Sequence, residues 1–277
     1  MEVVLLRNGS LEATIAPAAA MLVTSLRHDD EELLGQRADA ETFARTGKTT
    51  GSPLLYPWAN RLSAVRFGVR GAAVDVSAAR TDGFGSPMHG LPEARSGWVV
   101  ESSSRERVVA TLDWNVAAFP FPHTLRVEHR LTERGLETTT EVRGEAPVAF
   151  GWHPFLQLPG EPRADWRVSI GAATRLELDD RMLPTGARSA RERGVERLGE
   201  SAYDEALADV DGPFILEGAR RRIQVDFPEG APYAHFFAPA AEALVSFEPM
   251  AAPGDALVTG DDLQSAPWRM RFSITVT

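Results

Sequence analysis

The 277-residue sequence contains no cysteine, and Lys48 is the single lysine among its 29 basic residues. The absence of cysteine excludes disulfides, zinc–thiolate sites, iron–sulfur clusters and cysteine nucleophiles. We interpret the rarity of lysine, together with the many alanines, as coding bias rather than function. Because this one lysine lies in a polar stretch of threonine and glycine, most lysine chemistry is excluded.

The sequence also lacks a long hydrophobic run. Its first seven residues have no positively charged region ahead of an apolar one, so they do not resemble a secretory signal. The apolar stretch 16–23 contains Pro17 and is far too short to span a bilayer. We therefore expect a cytoplasmic protein with no membrane partner.

Negative charge predominates, since 39 acidic residues against 29 basic ones give a formal net charge of −10. A charge of this sign repels nucleic acid and anionic lipid, so neither is an expected partner. A neutral ligand such as a sugar remains compatible with it.

Alternation of apolar and polar residues is the main structural signal. In the stretch 124–131, Leu125, Val127 and Leu131 fall on one face and charged residues on the other, a period of two that indicates a half-buried strand. A turn at 133–135 and a threonine-rich continuation predict a β-hairpin over 124–142. The same alternation recurs near the C-terminus.

Helical signals are few. Short helices are plausible only at 38–45 and 201–208, while 23 glycines and 19 prolines punctuate the whole length. We find no repeat, no low-complexity segment and no linker. Many short strands separated by turns predict one all-β domain over residues 1–277, either a sandwich or a barrel.

For four of the six histidines, the surrounding sequence gives no reason to expect a catalytic or binding role. His129 lies at an inward position of its strand and is expected to be a hydrogen-bonded core residue. His28 lies in a charged turn and is expected at the surface. His123 and His235 have no sequence context that favours chemistry over packing.

Three residues have a context that favours chemistry. His89 lies in a loop rich in glycine and proline, and loops of this kind often contain binding residues. His153 and Glu248 each precede a proline, which restricts the backbone to extended conformations and fixes the direction of the side chain. A carboxylate at the end of an apolar strand is costly unless it is paired, and such a site raises the pKa of the carboxyl.

Five short segments, taken together and in this order, resemble those of the aldose 1-epimerase (galactose mutarotase) family. The first has the pattern G-x-P-x-x-x-P-x-x-N-R, the third reads Gly-Trp-His-Pro-Phe, and the resemblance spans nearly the whole chain. The segments are 51–61, 88–90, 151–155, 183–186 and 247–250, with a continuation at 252–256.

The resemblance implies a large antiparallel β-sandwich, or supersandwich, and an enzyme that interconverts the anomers of an aldose without a cofactor or metal. It also implies roles for catalytic residues. Glu248 resembles the general base that takes the proton of the anomeric hydroxyl. His153 resembles the general acid that protonates the ring oxygen, and His89 would help polarise that oxygen.

Substrate-binding residues follow from the same resemblance. Arg61 and Asn60 close the first motif, and Arg61 would hold sugar hydroxyls. Asp204 is the candidate for the family's aspartate, although Asp209 and Asp211 lie close by. An aromatic ring beside the site, Trp152 among the candidates, could pack on the apolar face of a pyranose, with core packing as an equally good interpretation.

Three alternatives remain open at this stage. One is a hexose-6-phosphate 1-epimerase of the same fold, which would need cationic side chains for the phosphate. Another is a non-catalytic carbohydrate-binding protein on the same scaffold. The third is a metal site built from His89, His153 and a carboxylate, which no sequence spacing supports. The oligomeric state, monomer or homodimer, is not specified by the sequence.

Overall fold

The computed structural model describes the whole chain from Met1 to Thr277, and all its paired strands are antiparallel. Numbered in chain order, the first ten strands are β1 Val4–Asn8, β2 Leu11–Ala16, β3 Leu22–His28, β4 Glu31–Glu32, β5 Leu54–Leu55, β6 Arg66–Val69, β7 Ala72–Asp75, β8 Val99–Ser103, β9 Arg107–Val116 and β10 Phe119–Leu131.

The remaining fifteen strands complete the sheets. They are β11 Gly135–Gly144, β12 Pro147–Val148, β13 Gly151–Trp152, β14 Phe155–Leu156, β15 Arg167–Ile170, β16 Ala172–Leu178, β17 Pro184–Arg191, β18 Gly194–Arg197, β19 Tyr203–Asp211, β20 Phe214–Glu217, β21 Arg222–Glu229, β22 Tyr233–Ala238, β23 Val245–Met250, β24 Gln264–Ser265 and β25 Trp268–Val276.

Two large sheets account for most of these strands. The nine-stranded sheet has the order β18-β15-β20-β21-β25-β11-β10-β9-β8, and the eight-stranded sheet has the order β17-β16-β19-β22-β23-β13-β5 with β14 beside β23. A four-stranded sheet, β1 to β4, and two strand pairs complete the fold. The predicted all-β class and the antiparallel sandwich are thereby confirmed.

The predicted hairpin over 124–142 is also confirmed, because it comprises the end of β10, the turn and most of β11, with pairing from His123 and Gly144 to Leu131 and Leu136. Thr140 of β11 accepts a hydrogen bond from the indole nitrogen of Trp152, in the eight-stranded sheet, at 3.0 Å. Between the sheets, Trp152 lies 5.8 Å from Phe272, measured between ring centroids. The core therefore lies between the two large sheets, as expected for a sandwich.

The predicted core position of His129 is confirmed as well. Its ring is fully buried, with Nε2 2.9 Å from the carbonyl oxygen of Met21 and Nδ1 2.9 Å from the hydroxyl of Thr138. Both ring nitrogens are therefore paired, which satisfies the polar atoms of a histidine inside the sandwich.

The two α-helices are short. The predicted helix at 38–45 is confirmed as α1, Ala40–Thr46, where the carboxylate of Asp39 accepts from the amide of Thr42 at 2.6 Å and Gly47 ends the helix in a left-handed conformation. The second helix, α2, is Ala256–Thr259. Neither has the length and hydropathy needed to cross a lipid bilayer. Three short 3₁₀ helices occur at Pro17–Ala19, Pro92–Arg95 and Arg163–Asp165.

The helix predicted at 201–208 is wrong. This stretch belongs to β19, an interior strand that pairs with β16 on one side and with β22 on the other. Its Ala, Leu and Glu residues favour a helix intrinsically, but a helix this short is marginal in water. Two ladders of backbone hydrogen bonds and the burial of residues 206–208 favour the strand instead.

A tight crossing of two backbones fixes the loop that contains His89. Gly90 has φ of +87°, and a Cβ at this position would lie 1.9 Å from the carbonyl oxygen of Tyr56. Only glycine fits such a contact. His89 and Asn60 also have positive φ, and the amide of His89 donates to the carbonyl of Asn60 at 3.0 Å. Strained backbone of this kind concentrates at functional sites.

The crossing at Gly90 leads to a stability prediction. We expect Gly90→Ala to lower the free energy of unfolding by about 3 kcal/mol or more, because the added methyl group must displace backbone atoms. Gly85→Ala is the matched control, since Gly85 has φ of +80° and a Cβ added there would meet no heavy atom within 4 Å. It should cost only the backbone strain, about 1–2 kcal/mol. Urea denaturation measures both, and equal losses would contradict the contact with Tyr56.

Candidate functional site

A cavity of about 530 Å³ opens beside the eight-stranded sheet. Its buried lining residues, which we call the floor, include Glu248, His153 and His89. Its exposed lining residues, which we call the mouth, include Lys48 and Arg80. The structure therefore brings the three candidate catalytic residues together in one open cavity.

Glu248 and His153 form the centre of the floor. Nε2 of His153 lies 3.1 Å from Oε1 of Glu248, and its Nδ1 lies 2.8 Å from the hydroxyl of Ser246. Both Ser246 and Glu248 belong to β23, two residues apart, so both side chains project from the same face of the strand. His153 directly follows β13, the neighbouring strand. Two paired strands therefore hold the carboxyl and the imidazole in contact.

Burial shifts the pKa values of this pair in opposite directions. It raises the pKa of Glu248 well above its usual range, with a further rise due to Asp204 and an opposing effect of Arg61. It lowers the pKa of His153 well below its usual range, and His89 acts in the same direction. Oε2 of Glu248 is buried and has no hydrogen-bond partner within the protein. A ligand hydroxyl in the cavity could satisfy this oxygen.

His89 lies next to the pair. Its ring centroid is 5.5 Å from that of His153, and its buried Nδ1 has no partner within the protein. Burial, together with the charges of Arg61 and Arg80, lowers the pKa of His89 to about 3. The ring is therefore neutral near pH 7, and it can donate or accept a hydrogen bond without adding a charge.

Arg61 is positioned by an aspartate that the motif comparison did not identify. Its Nε donates to Oδ2 of Asp82 at 2.8 Å, and both side chains are largely buried. The other oxygen of Asp82 accepts from the amides of Phe84 and Ser86, each at 2.9 Å. Asp82 immediately precedes the glycine-rich loop of His89, and its proximity to that loop was the available sequence signal.

Asp204 is the aspartate at the cavity, whereas Asp209 and Asp211 do not line it. The carboxylate of Asp204 accepts a short hydrogen bond from Nε2 of His235. On the other side of the ring, Nδ1 of His235 lies 3.2 Å from the amide nitrogen of Asn60. Asn60 donates there, so Nδ1 accepts and Nε2 carries the proton. His235, which had no favourable sequence context, thus connects two of the predicted binding residues.

The prediction that Trp152 binds the ligand is wrong. Its side chain is fully buried, its indole nitrogen donates to the hydroxyl of Thr140 at 3.0 Å, and its ring packs against Phe272 between the sheets. Successive residues of an extended chain face opposite sides, so Trp152 and His153 cannot both face the cavity. Phe237 is the aromatic residue that lines it.

The sequence did not predict where Lys48 lies: the only lysine of the chain is at the mouth of the cavity. The sequence placed it correctly in a polar loop but gave no sign that this loop, directly after α1, reaches the site. No group of three or more His, Asp or Glu side chains in the structure is arranged to hold a metal ion.

Comparison with known families identifies one match. The sequence model of the family described as aldose 1-epimerase matches residues 2–254. This range includes the Asn60–Arg61 segment, His89, His153 and Glu248.

Solved structures resemble this chain along its whole length. A galactose mutarotase-like protein from Clostridium acetobutylicum superposes with a TM-score of 0.84 at 18% identity, over 99% of this chain and 94% of that one. A galactose mutarotase related enzyme from Lactobacillus acidophilus gives 0.80 at 19% identity, over 100% and 97%. An aldose epimerase homologue from C. elegans gives 0.81 at 16% identity, over 100% and 98%. At these identities the likeness establishes the fold.

The buried histidines lead to a prediction about acid stability. Their pKa values in the folded protein, about 3 for His89 and about 4 for His129, lie below the usual value near 6.5 of an unfolded chain. Below about pH 6.5 the unfolded chain therefore binds protons that the folded protein does not. As the pH decreases, each histidine lowers the free energy of unfolding by up to about 1.4 kcal/mol per pH unit.

We therefore expect the free energy of unfolding, measured in urea, to decrease from pH 7 to pH 5. His89→Gln should show a smaller decrease than the unmodified protein, by about 1–2 kcal/mol. Parallel pH profiles for the two proteins would contradict the depressed pKa of His89.

Proposed function

Because the chain belongs to the aldose 1-epimerase family, we propose that it interconverts the α and β anomers of an aldose by opening and reclosing the sugar ring. One observation supports this proposal above all others. Glu248 and His153 contact each other on the floor of an open cavity, and their pKa values are shifted in opposite directions. Paired groups of this kind are suited to acid and base catalysis.

The reaction requires two coordinated proton transfers. To open the ring, a base removes the proton of the hydroxyl on C1, and an acid protonates the ring oxygen as its bond to C1 breaks. The electron pair of the O–H bond forms the C1 carbonyl, and the pair of the broken bond remains on the ring oxygen. The two oxygens share one carbon, so an acid and a base that lie side by side suit them.

In the proposed mechanism, the carboxylate of Glu248 accepts the C1 hydroxyl proton and Nε2 of His153 delivers its proton to the ring oxygen. The products are an open-chain aldehyde, a neutral carboxyl and a neutral imidazole. Burial disfavours the charged carboxylate–imidazolium pair from which opening starts, and the 3.1 Å contact between the two groups offsets part of that cost. Ring opening converts this pair into its uncharged forms, so burial assists the step. Rotation about the C1–C2 bond then turns the other face of the aldehyde toward the hydroxyl on C5.

Ring closure reverses the roles of the two groups. His153 takes the proton of the C5 hydroxyl as its oxygen attacks C1, and Glu248 returns a proton to the carbonyl oxygen. The pair regains its starting protonation state, so no redox group or covalent intermediate is needed. Each positioned group of this type contributes about 10²–10⁴ in rate.

The other residues of the cavity orient the sugar. His89 is neutral, so it serves as a hydrogen-bonding partner of the ring oxygen rather than as a second acid. Arg61 and Asp204 present a donor and an acceptor for hydroxyl groups, each fixed by its own partner. Phe237 offers an apolar ring for the C–H face of the sugar.

The acid and base assignments are tested by two substitutions. We expect Glu248→Gln and His153→Ala each to lower turnover by about 10² or more, because each removes one of the two proton-transfer groups. Exchange NMR or polarimetry of freshly dissolved α-anomers, over a panel of aldoses, measures the rate above the spontaneous one.

Glu128→Gln is the matched control for this test. Glu128 is a partly buried carboxylate, paired with Arg107 on the nine-stranded sheet and outside the cavity, so this substitution should retain activity. Near-normal turnover in either catalytic variant would remove that residue from the mechanism. If the unmodified protein binds aldoses and accelerates no anomer exchange, it is a carbohydrate-binding protein instead.

The role of Arg61 leads to a separate kinetic prediction. Arg61→Ala should raise KM by about tenfold with a smaller change in kcat, because it removes a charged hydrogen-bond donor to the sugar. Asp82→Asn should act in the same direction and less strongly, since it weakens the group that holds the guanidinium.

The matched control is Asp75→Asn. Asp75 binds Nε of Arg66 at the same 2.8 Å in an exposed pair outside the cavity, so KM should not change. A loss confined to kcat in Arg61→Ala would contradict the binding role.

A further inference from the structure

We propose that the aldose carries an anionic substituent, a phosphate or a carboxylate, which Lys48 and Arg80 bind at the mouth of the cavity. This inference rests on the proposed function and extends it to a class of substrate. Three observations support it: the charges that line the cavity, the lack of ion-pair partners for Lys48 and Arg80, and the position of these two cations at the mouth.

The cavity has the opposite charge balance to the rest of the protein. Four cationic side chains line it, and its three carboxylates belong to Asp82, Asp204 and Glu248. The chain as a whole has a formal net charge of −10. A local excess of positive charge in an acidic protein attracts an anionic ligand specifically to this place.

Two of the four cations are already paired. Arg61 binds Asp82, and Arg37 forms a two-point contact with Glu242 at 2.8 and 2.9 Å. The charged groups of Lys48 and Arg80 have no ion pair and no hydrogen bond within the protein, although the chain contains 39 acidic residues. They are the cations of the cavity that are free to bind a ligand.

A third cation adds to the charge at this point. Gly47, the residue before Lys48, packs close to the side chains of Arg80 and Arg95. If Gly47 had a Cβ, that atom would lie 3.7 Å from Cδ of Arg80 and 3.0 Å from Nη1 of Arg95. Arg95 is 8% exposed, forms no salt bridge, and donates from Nε to the carbonyl of Ala44. None of these three cations forms an ion pair, although Glu93 offsets part of the charge of Arg95. A bound anion would relieve the repulsion among them.

The positions of these groups indicate which part of the sugar carries the charge. Lys48 and Arg80 are exposed at the mouth, whereas Glu248 and His153 are buried on the floor. A sugar whose anomeric carbon meets the floor can therefore direct a substituent that extends from the ring, such as one on the exocyclic carbon 6, toward the two cations. A phosphate there accepts charge-assisted hydrogen bonds from both side chains.

The kinetic test compares glucose, glucose 6-phosphate and glucuronate as substrates by exchange NMR, with spontaneous rates subtracted. We expect kcat/KM to be at least about tenfold higher for one of the two anionic sugars than for glucose, and the advantage to shrink with added salt. Preference for the phosphate or for the uronate identifies the anion. Equal kcat/KM for all three sugars would overturn the inference and leave the proposed function intact.

Substitutions then assign the effect to residues. Lys48→Gln and Arg80→Gln should each reduce the preference for the anionic sugar about tenfold, and Lys48→Arg should retain most of it. Arg167→Gln removes an exposed, unpaired arginine of the nine-stranded sheet, and the preference should not change. An unchanged preference in both Lys48→Gln and Arg80→Gln would overturn the assignment.

The single lysine allows a second test that does not require turnover. An amine-selective acylating reagent modifies only Lys48 and the N-terminal amine, and peptide mass spectrometry counts each product. Glucose 6-phosphate or glucuronate at saturation should slow the modification of Lys48 several-fold without protecting Met1, and glucose should protect less. Equal labelling of Lys48 with and without the anionic sugars would overturn the inference, whereas protection without any anomer exchange would reject the proposed function alone.

Discussion

The contact between Glu248 and His153 is the interaction on which the site depends. A carboxyl and an imidazole lie 3.1 Å apart, both buried on the floor of the cavity, and neither is stable there in its charged form without the other. Such a pair needs a rigid frame. Two adjacent strands of the eight-stranded sheet provide it, and Ser246 fixes the imidazole from the opposite side. The sandwich behind them is thus the support for this contact.

The polar residues around this pair are held by partners of their own. Arg61 is anchored by Asp82, and Asp204 is anchored through His235 to Asn60. Each anchor fixes a side chain that would otherwise lose conformational freedom when a ligand binds. The entropic cost of ordering that side chain is therefore met during folding instead. The left-handed backbone at Asn60, and the loop crossing beside it, serve the same purpose of preorganisation.

The sequence predicted the fold class, one helix, the β10–β11 hairpin and the residues that meet on the floor of the cavity, because alternation and ordered motifs are local signals. It did not predict β19, whose helix-favouring residues are outweighed by pairing on both sides. It did not reveal His235, Asp82 or Lys48 as part of the site, since their proximity arises only from long-range strand and loop contacts. For Trp152 the sequence did contain the signal, because alternation puts it and its neighbour His153 on opposite faces of an extended chain.

The alternation within β23 couples the interior of the protein to its chemistry. Glu248 lines the cavity and Ser246, on the same face of the strand, contacts His153. Phe247 between them packs against Phe214 of the other sheet. An insertion or deletion of one residue in this strand would exchange the two faces, turning a phenyl ring toward the cavity and a carboxyl into the apolar interior. The register of β23 therefore fixes the position of Glu248, whereas Lys48 and Arg80 lie in loops whose length can change without reversing the faces of a strand.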